Sequence, residues 1–134
     1  MFKNVCGQHL MTKTLAAKIP ALWEQAGMGD DIIVYARYSF AFGSWTWFLA
    51  EFDPDSEDGM CFGKVYSGRR PEGELAYFSL GQLSDTRVNY LMTLKDSYRF
   101  DKKRRGVKRD TNFEATRMGD IKNPFTGSYL KGKL

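Results

Sequence analysis

The chain has 134 residues, 43% apolar and 15% aromatic, which suits one compact domain with a real core and excludes a disordered composition. No stretch approaches the ~20 apolar residues of a bilayer span, and the opening MFKNVCGQHLMTK lacks the apolar run of a secretory signal. The net charge of +4 is uneven: residues 1–101 carry 10 Lys/Arg against 13 Asp/Glu, whereas residues 102–134 carry 10 against 3.

Residues 1–10 show no period and read as a loose lead-in. From Thr12, TKTLAAKIPALWEQAG places Leu15, Ile19, Leu22 and Trp23 at helical spacing. Thr12 or Thr14 is its N-cap, and Pro20, with no N–H, breaks or restarts it. After GMGDD, the β-branched and aromatic run IIVYARYSFAF predicts a strand over 32–42. Alternation puts Ile33, Tyr35, Arg37 and Ser39 on one face and Ile32, Val34, Ala36, Tyr38 and Phe40 on the other. WTWFLAEF is a second strand, with Trp45, Trp47, Leu49 and Glu51 sharing a face, and DPDSEDG has the composition of a turn. MCFGKVYSG and GELAYFSL are the third and fourth strands. In the last of these, Leu75, Tyr77 and Ser79 face opposite to Ala76, Phe78 and Leu80. Ser79 or Ser84 is placed to cap a short helix, and a fifth, edge strand is expected around 97–100.

The chain carries few of the groupings that chemistry needs. DPDSEDG alternates Asp53, Asp55 and Glu57, but Gly59 comes one place late for a calcium loop and Lys64 stands where a bidentate Glu belongs. One histidine, His9, and two distant cysteines, Cys6 and Cys61, do not make a zinc site. Nor are two cysteines a disulfide framework, and reduced thiols in a cytoplasmic protein are expected. His9 is a poor general base in a loose terminus, and no phosphate-binding or nucleophile-elbow motif is present. Neither a cofactor nor a metal is expected. The basic run Lys102, Lys103, Arg104, Arg105, Lys108 and Arg109 can neutralise phosphates. Tyr35, Trp45, Trp47 or Tyr66 could stack bases on a sheet surface if they are exposed, and Arg37 shares the face of Tyr35. The competing role for the aromatics is the core, where burying one such side chain contributes roughly 1.5–3 kcal/mol.

Five blocks occur in order over residues 11–100: MTKTLAAKIPALW, WTWFLAEFDP, CFGKV, ELAYFSLGQL and LKDSYRFDKK. They resemble the LTKxL…LPxLY, WTWY…EFDP, FFGxV, ELGYFSLxEL and ERDLYFEP segments of an uncharacterised bacterial family. Members of that family are carried on plasmids, integrated elements and phages. The resemblance implies an accessory protein of mobile DNA. Genes neighbouring such members include antirestriction functions, so counter-defence of an anti-restriction or anti-CRISPR type is the role it implies. The chain departs from that pattern at Ala76, where a glycine is usual, and in the basic segment after Asp101.

The expected fold is therefore α+β: an antiparallel meander of four or five strands over residues 1–101. An N-terminal helix packs on one face, a short helix follows strand four, and 102–134 form a flexible basic extension. The expected function is a non-enzymatic binding protein of mobile elements that contacts nucleic acid or a nucleic-acid-handling protein complex, without a membrane. Its binding residues are Lys102, Lys103, Arg104, Arg105, Lys108, Arg109, Tyr35, Arg37, Trp45 and Trp47. The alternative is a small structural or oligomerising module, a possible homo-oligomer, with the aromatic sheet as its interface. A third is an enzyme with a carboxylate site between Glu51 and Asp58.

Overall fold

The computed structural model describes residues 2–4, 6–40, 44–86 and 106–125. Antiparallel sheet dominates an α+β arrangement. The helices are α1 (Lys13–Ala16) and α2 (Leu80–Asp85). The strands are β1 (Ile33–Val34), β2 (Ala36–Phe40), β3 (Trp45–Phe52), β4 (Met60–Ser67), β5 (Arg70–Ser79), β6 (Lys108–Arg109) and β7 (Thr116–Arg117). Five of them form one sheet in the order β5-β4-β3-β2-β6, and β1 pairs with β7 in a small second sheet. All these pairings are antiparallel. Among the described residues no helix is long and apolar enough to cross a membrane.

β2 through β5 form the expected meander because only a few residues separate consecutive strands. The DPDSEDG turn closes on its own polar groups. The Asp53 carboxylate accepts the Asp55 N–H at 3.0 Å, and the Ser56 hydroxyl accepts the Met60 N–H at 2.7 Å. Ser79 caps α2 by accepting the Gln82 N–H at 3.1 Å.

The single strand expected over 32–42 is interrupted at Tyr35, whose N–H is given to the Leu49 carbonyl at 2.8 Å. Burial still alternates through the break, but the buried residues serve two cores. Ile32 and Val34 pack with Phe48, Tyr66, Met118 and Ile121 on one face of the sheet. Ala36, Tyr38 and Phe40 pack with Trp47, Leu49, Phe78 and Leu83 on the other.

β3 departs from strict alternation as well. Leu49 pairs with Gly63, Glu51 pairs with Phe62, and Ala50 is the extra residue between them. This bulge returns Phe52 to the core of Trp47 and Leu49 and turns Glu51 to the side of Phe62. Gly63 makes the approach possible: a Cβ there would lie 1.8 Å from the Phe48 carbonyl oxygen.

Three expectations about the ends of the chain need correction. Residues 2–4 and 6–10 are not a loose lead-in. Leu10 is fully buried and accepts the Tyr38 hydroxyl hydrogen bond at 2.6 Å, and Asn4 Nδ2 donates to the Val107 carbonyl at 2.6 Å. The N-terminal helix is only the one turn of α1, capped by Thr12. Beyond Pro20 the chain winds through turns, because the amides of Trp23 and Gln25 are given to the Glu51 side chain instead of to helical carbonyls. Finally, the described part of the basic extension, 106–125, is not loose. β6 pairs with β2, β7 pairs with β1, and Val107, Met118 and Ile121 are buried. The expected boundary at residue 101 and the expected strand at 97–100 lie outside the described residues. β6 occupies the edge beside β2.

Two outcomes follow from this packing. Gly63→Ala forces a methyl group onto the Phe48 carbonyl and should cost roughly 3 kcal/mol, read as a lower denaturation midpoint with an unchanged slope. Burial pushes the Cys61 thiol and the Tyr38 hydroxyl well above their ordinary values of 9.0 and 10.0. Raised folded values mean that the stability these groups contribute is intact below the ordinary values and is lost as pH climbs past them. Denaturation midpoints should therefore be level through neutral pH and fall above pH 9.0, the thiol's ordinary value. Cys61→Ala should flatten the first part of that fall.

Candidate functional site

The residues singled out as a nucleic-acid surface do not form one patch. Lys102, Lys103, Arg104 and Arg105 lie outside the described residues. Lys108 is exposed on β6, opposite Ser39. Arg109 is tied down: its Nε donates to the His9 carbonyl at 3.1 Å, its amide to Gln8 Oε1 at 2.8 Å, and its carbonyl accepts from Gln8 Nε2 at 2.8 Å. Arg37 pairs with Asp110 at 3.4 Å, and Tyr35 is half-buried at the strand break. Trp45 is exposed and stacks on buried Trp47, with ring centroids 5.6 Å apart and planes 15° from parallel. Register places Trp45 and Trp47 on the face of Tyr38 and Arg109, and Arg37 on the opposite face beside Phe48. The two tryptophans line a groove of about 440 Å³ with Phe40, Phe78 and Gln82, and among the described residues its one charged lining residue is Glu74. An acid there repels a phosphate.

A second groove, also of about 440 Å³, lies on the other face and was missed in the sequence. Its walls are Trp23, Ile32, Phe62, Leu75 and Tyr77. Leu75 and Tyr77 are 52% and 47% exposed on β5, the edge strand. Trp23 is 70% exposed, not part of a buried helical stripe. Its ring centroid is 6.0 Å from that of Tyr77, which in turn is 5.1 Å from Phe62. The one signal available in the sequence was ELAYF itself. A strand apolar on both faces needs two covers, and among the described residues Leu75 and Tyr77 have only this partial one.

Trp23 is held out by a buried carboxylate. Glu51 is 4% exposed. Its Oε1 accepts the Trp23 N–H and its Oε2 the Gln25 N–H, both at 2.8 Å. Two amide donors offset much of the cost of burying that charge. The Gln25 side chain continues the brace, donating to the Ile33 and Ala50 carbonyls at 3.0 and 3.1 Å and accepting the Ile33 N–H at 2.7 Å. Between the two amides, Trp23 adopts φ +77°. A left-handed backbone costs a bulky residue about 1–2 kcal/mol, and here the Glu51 hydrogen bonds hold it. Two other acids of the 51–58 segment are engaged locally: Asp53 in its turn, and Asp58 with the Ser79 hydroxyl.

Glu51→Gln replaces one acceptor oxygen with a carboxamide NH2, a donor that faces a backbone N–H. It should lower stability by about 1–3 kcal/mol. Amide hydrogen exchange at Trp23 and Gln25 should speed up while the β4–β5 ladder keeps its protection.

No family model matches this chain, and neither does any curated protein or solved structure. The block resemblance over 11–100 stands on its quoted motifs alone.

Proposed function

We propose that this chain is a non-enzymatic binding protein that docks a protein partner on the Trp23–Phe62–Leu75–Tyr77 surface. The observation that carries the reading is Trp23: a large aromatic held in solvent, against its backbone preference, by a buried and fully hydrogen-bonded Glu51. Strain of this kind persists where the exposed side chain has work to do, and Trp and Tyr dominate the energetics of protein interfaces. The surrounding wall is apolar, as the buried centre of an interface is. Electrostatics favour a protein over a nucleic acid at this place. Among the described residues, the charged ones lining the two grooves are Glu51 and Glu74, and the arginines of the basic set are already paired or tied down. The resemblance to proteins carried on plasmids and phages supports a partner within a nucleic-acid-handling complex, with inhibition of a host defence as the role.

Trp23→Gly separates function from fold. It deletes the indole, and glycine accepts φ +77° without strain, so stability should stay within about 1 kcal/mol of the parent chain. Capture of the partner from host lysate should fall at least tenfold, as for a residue worth ~2 kcal/mol at an interface. Nuclease treatment should leave capture unchanged. Recovery of nucleic acid alone, lost on neutralising residues 102–105 and Lys108, would overturn the reading in favour of direct phosphate contact.

A further inference from the structure

The two halves of β5 differ as edges. At 70–73 the strand is guarded. Arg70 pairs with Glu74 at 3.3 Å, Pro71 has no N–H to offer, Asn123 Nδ2 donates to the Pro71 carbonyl at 2.8 Å, and Gly73 kinks the backbone at φ +83°. These are the devices by which natural sheets discourage edge pairing. From Glu74 to Phe78, between that kink and the start of α2, none of them recurs after Glu74. Leu75 and Tyr77 point to one face, Ala76 and Phe78 to the other, and no described residue pairs with the outer edge. A groove of about 440 Å³ lies on each side, and Tyr77 borders both. An added strand would extend the ladder and place alternate side chains in the two grooves.

A strand that fits must be apolar on both faces over about five residues, and β5 is itself such a strand. We propose that the occupant is β5 of a second copy of this chain, paired antiparallel about a two-fold axis at Ala76. This proposal goes beyond the docking reading above and stands or falls separately from it. Residues directly opposite in an antiparallel pair share a face, so this register sets Leu75 against Tyr77 of the second copy, twice, in an apolar strip continuous with Trp23 and Phe62. Glu74 then faces Phe78, not another acid. Centring on Leu75 would bring kinked Gly73 into the ladder, and centring on Tyr77 would bring in Leu80, which already belongs to α2. The contact is isologous, so it closes at two copies.

Sedimentation of the full chain from about 1 to about 200 µM tests this. The mass should rise from 15.4 kDa toward twice that value and be insensitive to raising salt from about 0.1 to about 1 M. Leu75→Glu should weaken self-association at least tenfold without loss of fold, because the introduced carboxylate lies opposite Lys64 on β4. In a Cys6→Ser background, Ala76→Cys should cross-link copy to copy on oxidation, since a residue on the axis faces itself. A chain monomeric at every concentration overturns the proposal. So does a dimer that persists in Leu75→Glu and does not cross-link at position 76. If the chain is monomeric yet Trp23→Gly still abolishes capture of another protein, the second copy is wrong and the docking surface stands. If the dimer and its cross-link form but capture is indifferent to Trp23→Gly and Leu75→Glu, the dimer stands and docking of a different partner there falls.

Discussion

The Glu51 carboxylate links three separate stretches of the chain. The bulge at Ala50 turns it away from the core of Trp47 and Leu49, toward the 20–27 loop. There it takes the amides of Trp23 and Gln25, and Gln25 in turn clasps β1 and β3. One charged group thereby ends the helical tendency of the N-terminal segment, orders a loop without regular structure and places an indole at the sheet edge. A buried carboxylate can do this at tolerable cost only because both oxygens are satisfied by amides that would otherwise lack partners.

That bracing depends on backbone proximity. The bulge requires the Phe48 carbonyl to lie against residue 63, and only glycine leaves room. Gly63, the Ala50 bulge and Glu51 therefore act as a unit, although Gly63 shares no side-chain contact with Glu51.

The strands were legible in the sequence because local chemistry determines them. β-branched and aromatic runs with turn residues between them marked β2 to β5, and Ser79 was readable as a cap. Features set by distant residues were not legible. The ALWEQAG stretch has helical spacing, and nothing within it reveals that Glu51, more than twenty residues on, takes its amides. Alternation assigned Glu51 to the Trp47 face, because a bulge of one residue leaves no mark except a glycine on the neighbouring strand. The charge run around Lys108 read as solvated, yet strand pairing uses main-chain groups, and a backbone can join a sheet edge whatever its side chains carry. The proposed docking surface was hidden for a related reason. ELAYF shows two apolar faces, but not which of them the other described residues leave uncovered.

The N-terminal loop and β6 hold each other across about a hundred residues, through Asn4 with Val107 and Gln8 with Arg109. This fixes an order of events during synthesis. The meander is complete once β5 has been made, but the outer edge of β2 stays open until Lys108 and Arg109 arrive, and the face of Phe48 and Tyr66 stays bare until Met118 and Ile121 reach it. A nascent chain therefore passes through a stage with two open sheet edges and one uncovered apolar face, the condition in which β-rich chains associate wrongly. The stage ends only when the last quarter of the chain docks.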